Sequence, residues 1–152
     1  MTVPASHLLD TSVLSQPIKD RPLRPVLDRW SALGELAVCT SAICVAEILQ
    51  GLETRASAKY WRRYRALLED RYRVLPFDGE VAVTFARLGA QMASRGLPRP
   101  ALDLMIAATD SPVAVSWLVF ILFPVESTDL ELGGDRCILF NPPHGLHVGW
   151  SE

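Results

Sequence analysis

The stretch His7-Leu8-Leu9-Asp10-Thr11-Ser12-Val13-Leu14 constrains the chain most. A short apolar run stops at an acid, and two hydroxyl residues able to open a helix follow it. Once the opening tail is set aside, this is the first apolar run, and it reads as the first strand of a sheet. In open α/β sheets, ligands bind beyond the carboxyl ends of the strands. Asp10 stands at that spot. It has two readings: a cap for the next helix, or a functional acid whose capping task Thr11 or Ser12 takes over.

The alternation then repeats. Ala37-Val38-Cys39-Thr40 is a second strand, and Thr40 or Ser41 caps a helix over Ala42–Gln50, with Gly51 near its stop or bend. That helix is apolar almost all round, which calls for burial on most sides. Val26, Leu27, Trp30 and Leu33 have helical spacing. Val74-Leu75-Pro76-Phe77-Asp78 is a short strand closing on a cap, and Val81, Phe85, Leu88 and Met92 mark a helix from Glu80 to Arg95-Gly96. Pro100 suits the first turn of the next helix, Ala101–Thr109. Val113–Phe123 reads as a buried strand and Cys137–Phe140 as a final one. Strand and helix in alternation give one α/β domain around a mainly parallel central sheet, flanked by helices on both faces. The domain spans 1–142 and a loosely attached tail spans 143–152.

Bulk properties narrow the function. The 152 residues are 49% hydrophobic and 21% charged, a globular balance. Net charge is −2, so any nucleic-acid contact has to come from a local basic face. One such face is the segment Ala56–Arg73, where Arg62, Arg63 and Arg65 alternate with Tyr60, Trp61 and Tyr64; Arg95 and Arg99 form another before the last helix. The bland reading of both is a solvated surface. The three cysteines, Cys39, Cys44 and Cys137, lack metal-site spacing and read as small buried hydrophobes of a reducing cytosol. Met1-Thr2-Val3-Pro4 has neither the basic region nor the apolar core of a signal peptide. Val113–Val125, broken by Ser116 and Pro124, falls short of the ~20 residues of a membrane helix. A cytoplasmic protein without a membrane partner is expected.

Four acids differ from the rest. Asp10, Glu47, Asp103 and one of Glu126 or Asp129 lie in or at the end of apolar stretches, whereas Asp20, Glu69 and Asp70 have polar neighbours. Glu47 needs a cation, a metal or a wet edge, because an ionised carboxylate in a core is costly. Asp103 has its own structural reason, the dipole at a helix N-terminus. Converging carboxylates repel unless a divalent cation neutralises them, and an oxygen-only set suits Mg²⁺ or Mn²⁺.

Four blocks carry a resemblance: Leu8–Ser15, Ser41–Gly51, Val74–Asp78 and Leu102–Thr109. In this order they resemble PIN domains, most of all the VapC toxins and FitB-like proteins, over residues 6 to 110. The resemblance implies a Mg²⁺-dependent (or Mn²⁺-dependent) single-strand endoribonuclease, the toxin of a type II toxin–antitoxin pair. It implies a homodimer, inhibited by a cognate VapB/FitA-like antitoxin, with operator DNA bound only by the complex of the two. Asp10, Glu47 and Asp103 match the family's first three metal-site acids, supported by Thr11 and by Ser12, which replaces the family's Asn. Residues 110–125 depart from the pattern. Glu126 then takes the fourth-acid position and Asp129-Leu130 that of Asp-Phe, after an insertion of about five residues, on the order of a strand. That departure motivates one alternative, a PIN-like subunit that binds an antitoxin-like partner and DNA without turnover; a metal-dependent nuclease acting on DNA ends or flaps is another.

Overall fold

The structure, a computed structural model, describes residues 7–110 together with the backbone of two strands at 128–132 and 135–139. Strands β1 (His7–Leu9), β2 (Val38–Ser41) and β3 (Arg73–Leu75) form a parallel sheet in that order. Leu8 lies opposite Cys39, and Thr40 opposite Val74. The helices are α1 (Thr11–Leu14), α2 (Arg24–Leu33), α3 (Ala42–Arg55), α4 (Ala58–Leu67), α5 (Gly79–Ser94) and α6 (Ala101–Asp110). The expected α/β domain with a parallel sheet is therefore present. The expected strand at Val113–Phe123 lies outside the described residues.

All four residues of β2 are buried, as a central parallel strand requires. One core gathers Leu8, Leu9 and Val13 from the first unit, Val26 and Trp30 from α2, Ile48 and Leu52 from α3, and Tyr64 from α4. A second joins Val81, Leu88 and Met92 of α5 to Leu104, Ala107 and Ala108 of α6. Ile106 belongs to the first core. Helix α6 thus contributes to both from Leu104 onward, while Ala101, Leu102 and Asp103 of its first turn are exposed. Cys39 and Cys44 are buried free thiols, as expected; the side chain of Cys137 lies outside the described residues.

Several boundaries differ from expectation. Gly51 neither stops nor bends α3, which continues to Arg55 and closes on Ala56 in the left-handed conformation, φ 48°. The buried line Cys44, Ile48 and Leu52 carries the helix past the glycine. Nor is α3 buried all round: Ala46 and Gln50 are exposed, and Glu47 is only partly buried. A methyl group at Gly51 would meet nothing within 4 Å. Gly51→Ala is accordingly expected to raise stability by roughly 0.5–1 kcal/mol through helix propensity, seen as a higher urea midpoint. Destabilisation would contradict a helix running through this position. Pro100 just precedes α6, and its carbonyl accepts the Leu104 N–H at 3.2 Å.

Strand β4 (Thr128–Leu132) pairs antiparallel with β5 (Asp135–Leu139), Asp129 lying opposite Ile138. The last strand therefore belongs to a separate two-stranded sheet. Asp129, read from sequence as lying at the end of an apolar run, is the second residue of β4. Glu126 lies outside the described residues. Among the described residues, no helix is long and apolar enough to cross a membrane.

Candidate metal centre

Asp10 follows β1 directly and is itself the N-cap of α1, so capping is not delegated to its neighbours. The Val13 N–H donates to Asp10 Oδ1 at 3.0 Å, and the Ser12 hydroxyl donates to both carboxylate oxygens, at 3.0 and 2.8 Å. A four-residue helix needs this cap, and Ser12 holds the carboxylate in one orientation. Asp10 is only 7% exposed. Burial, and to a lesser degree the charge of Glu47, push its pKa up to about 6, against the hydrogen bonds from Val13 and Ser12.

Glu47 lies one turn into α3, whose start is set by Ser41. The Ser41 hydroxyl accepts the Cys44 N–H at 3.1 Å, and Thr40 hydrogen-bonds the Leu9 carbonyl across the sheet at 3.0 Å. Glu47 accepts a hydrogen bond from the Thr11 hydroxyl. The sequence left a cation, a metal or a wet edge open for Glu47; among the described residues the partly buried side chain has the hydroxyl beside Asp10 as its partner. Asp103 stands in the exposed first turn of α6. Its pKa is raised, first by desolvation and then by Glu47, with the Arg99 guanidinium opposing. Glu47 is thus a charge that both aspartates feel.

The basic candidates divide. Arg62 and Arg65 are exposed on α4, Arg65 lying over the Trp61 ring. Arg63 is committed: it donates to the Ile18 carbonyl at 3.0 Å and to Asp20 at 2.9 Å. Arg95 ends α5 in the open. Arg99 is partly buried next to the acids, and its Nε has no hydrogen-bond partner among the described residues. Sequence reasoning passed over Lys19 and Arg55, which line a cleft of about 180 Å³ together with Thr11 and Glu47. Neither stands in a recognisable motif; the fold alone brings them there.

Two oxygen-bearing helix starts and the Glu47 turn make a donor set suited to a hard divalent cation. Among the described residues, no three His, Cys, Asp or Glu side chains lie close enough to hold an ion directly. The set fits a cation that keeps most of its waters and takes one or two carboxylates at a time, the ordinary habit of Mg²⁺. Mutual repulsion and desolvation at Asp10 and Asp103 are what such a cation would relieve.

The PIN domain family model matches residues 7–109. The chain belongs to the PIN domain family. This PIN domain is 33% identical over 108 residues to the toxin FitB of Neisseria gonorrhoeae, covering 67% of this chain and 78% of FitB. It is 35% identical over 108 residues to a VapC ribonuclease of Sinorhizobium fredii, covering 67% and 77%. Among solved structures, FitAcB from Neisseria gonorrhoeae superposes with a TM-score of 0.62 at 32% identity, over 68% of this chain and 78% of that one. DNA-bound VapBC from Salmonella typhimurium gives 0.61 at 25% identity, over 75% and 83%. The resemblance read from the four sequence blocks is thereby established as kinship.

Proposed function

We propose that this PIN domain is the toxin of a VapBC-like pair, a Mg²⁺- or Mn²⁺-dependent endoribonuclease that hydrolyses single-stranded RNA. The observation that carries the reading is the electrostatic coupling of Glu47 to both Asp10 and Asp103 at the end of β1. Kinship with a VapC ribonuclease supplies the substrate class. Asp10, Glu47 and Asp103 would hold the cation, with Glu126 or Asp129 in the fourth position. When bound, such an ion offsets charge on phosphate oxygens and makes a nearby water more acidic. The protein's own part is orientation: Ser12 fixes the Asp10 carboxylate and Thr11 fixes Glu47, while Arg99 and Arg95 meet the substrate backbone. FitAcB and DNA-bound VapBC are complexes of related proteins, and a cognate antitoxin partner, with operator DNA bound by the pair, is part of the same proposal.

Labelled single-stranded RNA and DNA, incubated in parallel with the purified protein and Mg²⁺, test it. RNA cleavage that stops on adding chelator is expected; cleavage of DNA alone, or of RNA in excess chelator, would overturn the reading. A second reading, a PIN-fold subunit without turnover, has one observation in its favour: the absence of a closed three-acid cluster among the described residues. It predicts antitoxin binding without cleavage of any RNA.

Acidity supplies a further prediction. A cation has to displace the proton from Asp10 once the pH is below about 6. Mn²⁺ affinity is expected to be flat above that pH and to fall by about tenfold per unit well below it. Calorimetry from roughly pH 4 to 8, on both sides of this carboxyl's titration, reads the effect. An affinity that does not change with pH would remove Asp10 from the ligand set.

A further inference from the structure

The cleft that Glu47 lines has an unusual charge arrangement. Its wall includes Thr11 and Glu47, the two cations Lys19 and Arg55, and the apolar surfaces of Ile18, Ile48, Leu52 and Tyr60. Among the described residues neither Lys19 nor Arg55 forms an ion pair; Lys59 and Arg63, close by in sequence to Arg55, both pair with Asp20. Two cations are therefore held near each other without an acid of their own. Lys19 feels the charges of both Asp10 and Arg55. Such a pair next to a carboxylate site is an anion seat adjoining a cation seat.

The surrounding structure fixes the loop that bears Lys19 and gives Arg55 a ring to lie over. Gln16, 1% exposed, donates to the Ser12 carbonyl at 2.9 Å and accepts the Leu23 N–H at 2.9 Å, which closes the loop that bears Lys19. Arg63 holds the Ile18 carbonyl on one side of Lys19, and Lys59, Tyr60 and Arg63 hold the Asp20 carboxylate on the other. Those bonds keep the Asp20 carboxyl well below its ordinary pKa. Arg55 lies over the Tyr60 ring at 5.2 Å from its centre, and the Tyr60 hydroxyl is the one bonded to Asp20. A single network thus positions the loop cation and the helix-end cation together.

We propose that Lys19 and Arg55 clamp a backbone phosphate of the single-stranded RNA, adjacent to the bond cut at Asp10, Glu47 and Asp103. The apolar residues of the same cleft, Ile18, Ile48 and Leu52, would receive a neighbouring sugar or base. This deepens the proposed ribonuclease reading and rests on it for the identity of the strand. It assigns backbone contact to two residues outside the basic motifs, and it leaves Arg63 as a scaffold for Lys19.

The test uses the full chain carrying Asp10→Asn, which binds without cutting, and a fluorescein-labelled, mixed-sequence RNA oligonucleotide. Anisotropy titrations at several salt concentrations are compared for Lys19→Gln, Arg55→Gln and the double variant. Each substitution is expected to weaken binding roughly tenfold and to flatten the slope of log affinity against log salt by about 0.7. Lys19→Arg and Arg55→Lys are expected to restore most of both. Both side chains are exposed, so folding is retained, and a thermal melt verifies it. In the cutting protein, the same changes raise KM more than they lower kcat. Unaltered affinity and salt slope in the double variant would overturn the clamp, and so would RNA binding that is absent from its Asp10→Asn parent. If the clamp is present but wild-type protein cuts no RNA, the ribonuclease reading fails instead. A double variant that binds RNA normally but loses a copurifying protein partner would make the cleft a protein-docking site and count against the clamp.

Discussion

Replacing Asp10 with asparagine is expected to stop RNA cleavage while making the metal-free protein harder to unfold. The two effects have one cause. The carboxylate is buried at the end of β1, and folding raises its pKa from 3.8 to about 6. A carboxyl whose folded pKa is raised binds its proton more tightly in the folded chain. The stability it adds is fully present below the unfolded value and is lost as pH rises through the folded one. From about pH 4 to 6 the loss amounts to on the order of 3 kcal/mol. At neutral pH the folded protein therefore carries the cost of a buried charge. Asparagine removes that charge, and its carbonyl oxygen can still accept the Val13 N–H that Asp10 accepts at 3.0 Å. A gain of about 1–3 kcal/mol in the metal-free protein is expected, with most of the pH dependence between 4 and 6 gone. Activity moves the other way. A neutral amide is a poor ligand for a hard cation, and losing several kcal/mol of charge stabilisation costs about a hundredfold or more in rate. Urea denaturation and cleavage assays on the same sample measure both. A variant that is less stable and still active would show that Asp10 is only a cap.

Leu88→Ala carries the second large effect. Leu88 is 1% exposed and sits in the core shared by α5 and α6 with Met92, Leu104, Ala107 and Ala108. The helices are close here: a Cβ added at Gly89 would reach Leu104 Cδ1 at 3.9 Å. The Leu104 side chain thus packs over the α5 backbone beside Leu88, and truncating Leu88 opens a cavity in this shared core. The substitution is expected to cost about 2–5 kcal/mol, a large share of a domain's usual 5–15 kcal/mol. Because α6 carries Asp103 in its first turn, the loosened helix pair is also expected to need more Mg²⁺ for half-maximal cleavage. A fall in the urea midpoint at constant m-value reads the first effect. A cost below about 1 kcal/mol would mean that this second core is not closed as described.

Much of this was legible along the chain because the signals are local. The strand ending at Asp10, the cap at Ser41, the cap at Asp78 and the apolar face Val81, Leu88 and Met92 each occupy a few neighbouring residues. The structure realises all of them. The three acids also stood out, since a lone charge in an apolar run is conspicuous. What escaped depended on distant residues. Thr11 donating to Glu47 joins positions 36 apart, and nothing near Glu47 announces a hydroxyl partner. Gly51 looked like a helix end by its propensity, but the packing of Ile48 and Leu52 outweighs a cost of about 1 kcal/mol. Arg63 looked like a free cation on a basic helix; Asp20, 43 residues earlier, occupies it. Lys19 sat in a polar, proline-bearing stretch without periodicity, and only the fold sets it beside Arg55.

Asp10, Glu47 and Asp103 are proposed to form one cation site. Mn²⁺ titration calorimetry at neutral pH on the wild-type chain and on Asp10→Asn, Glu47→Gln and Asp103→Asn tests it most directly. The account predicts one site in the wild type and a loss of about tenfold or more in affinity for each single variant. It also predicts that the double variant Asp10→Asn with Asp103→Asn loses far less than the product of the two, because residues sharing one ion do not act independently. Mn²⁺ binding by all three variants at the wild-type affinity would contradict it.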